Sequence, residues 1–212
     1  MSRLRVAFFV SGNGTLFETI ATRCKAGDLN AEAAVLISST SKAPALERAR
    51  RLGVPAVVLK RGDYPSDDAF ADATLAVLAD YRISFVCLAG YLKLVPSRVV
   101  DAFRNRMLNI HPALLPAFGG AGMYGHRVHE AVIEHGARIT GATVHLVDTQ
   151  YDHGPIVLQR AVYVRPDDDA DRLADRVHAI EHDLYVEAVR LFADDRIEIA
   201  DHHVRILPGK SE

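Results

Sequence analysis

The chain has 212 residues, of which 49% are hydrophobic and 25% charged, enough apolar material for the core of one domain, and residues 1–212 are expected to form a single one. A formal net charge of −2 gives no global attraction for nucleic acid or an anionic membrane, so any anionic partner has to be held by local groups. Cys24 and Cys87 are the only cysteines and have no metal-ligand spacing, and the apolar run Val6 to Val10 is far too short for a signal sequence or a membrane span. A cytoplasmic protein is expected.

Apolar runs at Val6 to Val10, Ala33 to Ile37, Ala56 to Leu59 and Ile83 to Ala89 are rich in β-branched or bulky residues and too short for helices, so they predict buried strands. The first run leads into Ser11-Gly12-Asn13-Gly14-Thr15, which opens a helix. Backbone N–H groups and the positive end of the helix dipole converge there, and a phosphate is the expected occupant. The stretch is neither a full Walker motif nor a full G-x-G-x-x-G fingerprint, and a plain strand-to-helix turn is the competing reading. Phe70, Ala73, Val77 and Tyr81 fall on one helical face. Alternating strands and helices predict an α/β fold: a doubly wound, mostly parallel sheet flanked by helices, Rossmann-like, with ligand sites at the carboxyl ends of the strands.

After residue 100 the rhythm changes. A short strand is predicted near Met107 to Ile110, then an irregular Pro- and Gly-rich stretch from Pro112 to Gly125, a length of loop that commonly carries function. A helix follows over about Val128 to His135, with strands at Gly141 to Val147 and Pro155 to Val164. A long helix over Asp169 to Phe192 has the stripe Leu173, Val177, Ile180, Leu184, Ala188 and Leu191, and a small hairpin is expected over Arg196 to Leu207.

Asn109 and His111, two apart on the short strand, share a face. A carboxamide donor beside an imidazole suits acyl transfer to an amine, which needs an oxyanion stabilised and protons moved near neutral pH; a hydrogen-bonded edge pair is the plainer alternative. Asp152, in the turn Gln150 to Pro155, is either an ordinary turn former or a carboxylate that reaches His111, raises its pKa and orients its ring. Among ten histidines, His126 with His129 and His202 with His203 match no zinc spacing; they read as surface or supporting residues, and no metal is expected.

The segments LNIHPALLP, Leu108 to Pro116, and GATVHLVDTQYDHGPIVLQ, Gly141 to Gln159, resemble the signature segments of the folate-dependent formyltransferases. LAGYLKLVP from Leu88 to Pro96 and FGGAGMYG from Phe118 to Gly125 bring the similarity nearest to the branch that formylates glycinamide ribonucleotide, and it extends over nearly the whole chain. The resemblance implies the formyltransferase fold, 10-formyltetrahydrofolate as co-substrate with no metal, glycinamide ribonucleotide as acceptor in purine biosynthesis, and a monomer or homodimer. It implies a catalytic trio of Asn109, His111 and Asp152, with His111 kept charged by Asp152. It implies phosphate binding by Gly12, Asn13, Gly14 and Thr15, a ribose contact from Glu181 and a peripheral one from Arg176. Leu92, Lys93, Leu94 and Val95, together with Leu146, Val147 and Asp148, match the segments that line the folate pocket.

Two positions depart from the pattern: Leu16 stands where relatives have Asn, and Asp67 where they often carry a basic residue, which puts the acceptor in question more than the chemistry. The same trio would serve a formyltetrahydrofolate deformylase, a methionyl-tRNA formyltransferase or a sugar-nucleotide formyltransferase. Pro112-Ala113 after His111, the absence of room for extra domains and the lack of a basic surface argue against the first two. A non-catalytic nucleotide-binding module would use the glycine turn but has no need of the trio.

Overall fold

A computed structural model describes residues 3–209. Seven strands form one mixed sheet flanked by helices: β1 (Leu4–Val10), β2 (Ala31–Ser38), β3 (Ala56–Val58), β4 (Phe85–Leu88), β5 (Met107–His111), β6 (Ile139–Leu146) and β7 (Ile156–Tyr163), in the order β3-β2-β1-β4-β5-β6-β7. By its contacts the chain divides into two compact units, one ending at Leu108 and one beginning at Asn109.

In the first unit β1 pairs in parallel with β2 and β4, and β2 with β3, as expected of strands joined by helical crossovers. Those crossovers carry α1 (Thr15–Ala26), α2 (Ala45–Leu52) and α3 (Asp67–Asp80), and α4 (Ser97–Ala102) follows β4. β1 is buried along Val6 to Val10, as its unbroken apolar run requires of a central strand. Helix α1 turns Phe17, Ile20, Ala21 and Cys24 inward, and the Phe17 ring meets Phe8 edge-on at 5.2 Å. Full burial of side chains such as Phe17 and Ile20 contributes about 1.5–3 kcal/mol each. Burial pushes the Cys24 thiol up to about 11, and Cys87 is buried as well.

Two expectations for this unit are corrected. Strand β3 is not buried: Ala56 and Val58 are exposed, because β3 stands at the edge of the sheet with β2 as its neighbour. Helix α3 is rotated from the expected face. Its buried positions are Phe70, Ala71, Thr74 and Leu78, while Ala73, Val77 and Tyr81 are only half-buried. Thr74 enters the core because its hydroxyl donates to the Phe70 carbonyl, which satisfies the polar group within the helix.

In the second unit β6 and β7 pair antiparallel, and α6 (Ala170–Ala193) packs on both strands and on α5 (His126–Glu134). The Asp169 side chain caps α6 by accepting from the Arg172 N–H. The expected stripe is buried at Leu173, Val177, Leu184, Ala188 and Leu191, whereas Ile180 is half-buried and its neighbour Glu181 lies inside. The tail forms the hairpin β8 (Ile197–Ala200) and β9 (His203–Ile206).

His129 on α5 is no surface residue. It is fully buried, neither ring nitrogen has a hydrogen-bond partner among the described residues, and its ring lies 6.4 Å from His126 and 5.9 Å from His178. Burial, reinforced by the charges His178, His126 and His111 can carry, lowers its pKa to about 4. The unfolded chain, with an ordinary imidazole near 6.5, therefore binds a proton between those two values that the folded chain refuses. Stability from this residue is complete above about pH 6.5 and falls, by up to about 3 kcal/mol, as pH drops towards 4. His129→Leu should remove that part of the acid sensitivity. Urea midpoints at pH 7.5 and 4.5 would test this, and equal pH dependence in the two proteins would refute it.

Candidate active site

The sequence trio converges inside the second unit. β5 presents Asn109 and His111 on one face, and the turn after β6 brings Asp152 back to them. His111, 3% exposed, has Nδ1 3.4 Å from Asp152 Oδ2 and donates from Nε2 to the Phe118 carbonyl at 2.8 Å. Asp152 Oδ2 also accepts from the Gly120 N–H at 3.0 Å, so the carboxylate joins the glycine-rich loop to His111. Asp152 itself sits at φ +52, a left-handed conformation that Asp tolerates better than most residues. Gly154 lets the turn close, since a Cβ there would lie 1.9 Å from the Leu146 carbonyl oxygen.

A fourth group completes the cluster. His145 of β6 is buried, donates from Nδ1 to the Leu146 carbonyl at 2.9 Å, and with Nε2 accepts from Asn109 Nδ2 at 3.1 Å. Its Nε2 lies 3.6 Å from Asp152 Oδ1. Sequence reasoning missed this residue. It shares one face with Thr143 on a strand buried from Thr140 to Leu146, a setting in which a polar ring needs a partner.

Asp152 acts on the His111 pKa in the expected direction, raising it, but burial is the larger influence. Burial lowers the His111 pKa, and the opposing pull of Asp152 and of the Phe118 carbonyl does not fully offset it. Yet both ring nitrogens face acceptors, an arrangement that suits the doubly protonated ring, so charge on His111 depends on Asp152 being ionised. Burial also acts to raise Asp152, but the positive charge that His145 and His111 can carry and the Gly120 N–H outweigh it and hold the carboxyl below its ordinary value.

The loop between β5 and α5 is anchored from β6 and β7. Thr143 Oγ1 accepts from the Leu115 N–H at 3.0 Å and donates to the Ala113 carbonyl at 2.6 Å, and Gln159 Nε2 donates to the Leu115 carbonyl at 3.0 Å. Leu146 is buried, while Val147 and Asp148 are half-buried. The Asp148 carboxylate is engaged locally, 2.6 Å from His153 Nδ1 and accepting from the Gln150 N–H at 2.8 Å.

Glu181 is 6% exposed, its nearest ionic contact is His178 at 3.7 Å, and burial pushes its carboxyl up to about 7. A buried carboxylate so thinly partnered suits a ligand that donates hydrogen bonds. The Arg176 guanidinium grips Asp168 with two hydrogen bonds and donates to the Tyr163 carbonyl, while its buried Nε has no hydrogen-bond partner among the described residues. Arg176 holds the Asp168 carboxyl down at about 2.

In the first unit the glycine turn has the shape of an anion site. Gly14, the N-cap of α1, lies at φ +70 with no side-chain cap, and a Cβ there would meet Ala45 Cβ at 2.5 Å. Among the described residues the backbone N–H groups of Gly12, Asn13, Gly14 and Thr15 have no backbone acceptor, which leaves the first turn of the helix open to a phosphate. Arg48 braces the turn from α2, donating from Nε to the Asn13 carbonyl at 2.8 Å. Leu16 is half-buried, and Asp67 pairs with Arg61 at the start of α3. In the same unit Leu92, Lys93 and Leu94 are exposed and Val95 is buried. No group of three or more potential metal ligands occurs among the described residues, and no described helix is long and apolar enough to cross a membrane.

Residues 4–189 match the formyl transferase family. The chain is 44% identical over 209 residues to the chloroplastic phosphoribosylglycinamide formyltransferase of Arabidopsis thaliana, covering 98% of this chain and 72% of that protein. It is 33% identical to the phosphoribosylglycinamide formyltransferase of Bacillus subtilis, covering 88% of this chain and 93% of that one. The crystal structure of glycinamide ribonucleotide transformylase 1 from Symbiobacterium toebii superposes with a TM-score of 0.92 at 43% identity, over 98% of this chain and 95% of that one.

Proposed function

The chain belongs to the phosphoribosylglycinamide formyltransferase family, and we propose that it transfers the formyl group of 10-formyltetrahydrofolate to the amine of glycinamide ribonucleotide in purine biosynthesis. The observation that carries the reading is the meeting of Asn109, His111 and Asp152, with Asp152 3.4 Å from His111 Nδ1.

The acceptor amine attacks the formyl carbon, and the carbonyl electrons move to oxygen. Asn109, with one amide hydrogen committed to His145, has its second free for that oxyanion. His111 supplies positive charge, and its Nε2 proton reaches the oxyanion once the Phe118 carbonyl gives it up, a shift within the glycine-rich loop. As the tetrahedral species collapses, the bond to the folate nitrogen breaks and the amine proton passes to that nitrogen, with Asp152 holding it in transit. The products are the formamide and tetrahydrofolate, and no covalent enzyme intermediate is needed.

The phosphate is assigned to Gly12, Asn13, Gly14 and Thr15, the ribose to Glu181, and the folate to the segments from Leu92 to Val95 and from Leu146 to Asp148. Arg176 is assigned a peripheral contact, with Asp168 holding its two terminal nitrogens. Both compact units serve one formyltransferase domain, which works on small molecules without nucleic acid, membrane or metal, in the cytoplasm, as a monomer or homodimer. Absorbance of the folate product should rise when glycinamide ribonucleotide is added to enzyme and 10-formyltetrahydrofolate. Product formed equally fast without the amine would point to a deformylase, and product formed only with a sugar-nucleotide amine to that other branch.

A further inference from the structure

Ser11 closes β1 and begins the glycine turn, yet its hydrogen bonds run away from that turn. Its N–H donates to the Gly90 carbonyl at 2.9 Å, and its hydroxyl oxygen accepts from the Leu92 N–H at 3.0 Å and from the Ser39 hydroxyl at 2.8 Å. The chain reverses at Gly90, φ +76, so that Gly90 meets the Ser11 backbone N–H and Leu92 its hydroxyl. Beyond that anchor Leu92 and Leu94 stand 56% and 51% exposed, a large apolar surface for two neighbouring positions, and the next fixed point is buried Val95. The Tyr91 ring packs edge-on to Phe9 at 5.3 Å, which holds the segment's root but not the backbone of Leu92.

We infer that Ser11 is a positioning residue for the folate side of the site, setting the placement of Leu92 and Leu94 through the Leu92 N–H, although its sequence neighbours belong to the phosphate turn. The inference rests on the reading of Leu92 to Val95 as folate-lining. Separate contacts hold the glycine turn itself: the Ala45 N–H donates to the Gly12 carbonyl and Arg48 to the Asn13 carbonyl. Loss of the Ser11 hydroxyl therefore leaves the turn braced while freeing the Leu92 backbone.

Steady-state kinetics of the full chain test this. Ser11→Ala should raise the KM for 10-formyltetrahydrofolate about 3- to 10-fold, the order expected for one lost hydrogen bond, with the acceptor KM within about twofold of wild type. Ser11→Thr, which keeps the hydroxyl, should restore the folate KM, and Ser39→Ala, which leaves the Leu92 contact in place, should barely move it. If Ser11→Ala does not fold, Ser11→Cys replaces the hydroxyl with a much weaker acceptor and should give the same split. An acceptor KM that rises as much as the folate KM, or a folate KM that does not move, overturns the inference. Leu92→Ala separates the two levels of the claim. A raised folate KM there with Ser11→Ala silent removes the Ser11 role alone, whereas an unchanged folate KM in Leu92→Ala removes the lining assignment and the inference with it.

Discussion

Asn109→Ala and His111→Ala should each lower kcat by about 10²- to 10³-fold while leaving the KM of both substrates within a few fold. The expectation follows from timing. Charge builds on the formyl oxygen only as the amine adds, so a donor aimed at that oxygen acts on the transition state and contributes little to the ground-state complex. Asn109 has the stronger geometric case, because His145 takes one amide hydrogen and fixes the plane of the carboxamide. His111 has the stronger electrostatic case, since positive charge on a buried ring acts across a low dielectric. The two effects should not add, because both groups address one oxygen; the double variant should fall short of the product of the single losses. Near-normal turnover in either single variant would remove that residue from the mechanism.

Much of this site was legible in the sequence, for a reason that is local. A two-residue spacing on a strand puts Asn109 and His111 on one face whatever the rest of the fold does, and a turn of Asp, His and Gly before an apolar run has few places to go. What escaped notice needed register or neighbours. His145 meets Asn109 only because of how the strands line up, and nothing within β6 states its partner. The burial of His129 is consistent with its place between Val128 and Val132 on the inward face of α5, but histidine is intermediate in its preference for the interior, so the spacing alone does not decide it. Helix α3 misled for a different reason. Alanines at positions 69, 71, 73, 76 and 79 fit either face, and a Thr that satisfies its own hydroxyl counts as core in the structure and as polar in a pattern. The exposure of β3 is set by a missing neighbour, which no property of Ala56 to Val58 encodes.

Asp152→Asn should cost about 10²- to 10⁴-fold in kcat and change how the remaining activity depends on pH. Burial alone pulls the His111 pKa below the ordinary imidazole value, and the Asp152 charge is the chief influence in the other direction. The asparagine keeps the shape and removes the charge, so the His111 pKa should fall further. If the charged ring is the active form, activity is present below that pKa and lost as pH rises through it, and the loss should move to lower pH in the variant. Asp152 is itself held below its ordinary value, which favours the ionised carboxylate opposite His111. The ring protons of His111, followed by NMR in both proteins, report this shift independently of turnover. A His111 titration that is unmoved, or that moves upward, would mean that the 3.4 Å contact does not set the charge of the ring, and the oxyanion would then rest on Asn109 alone.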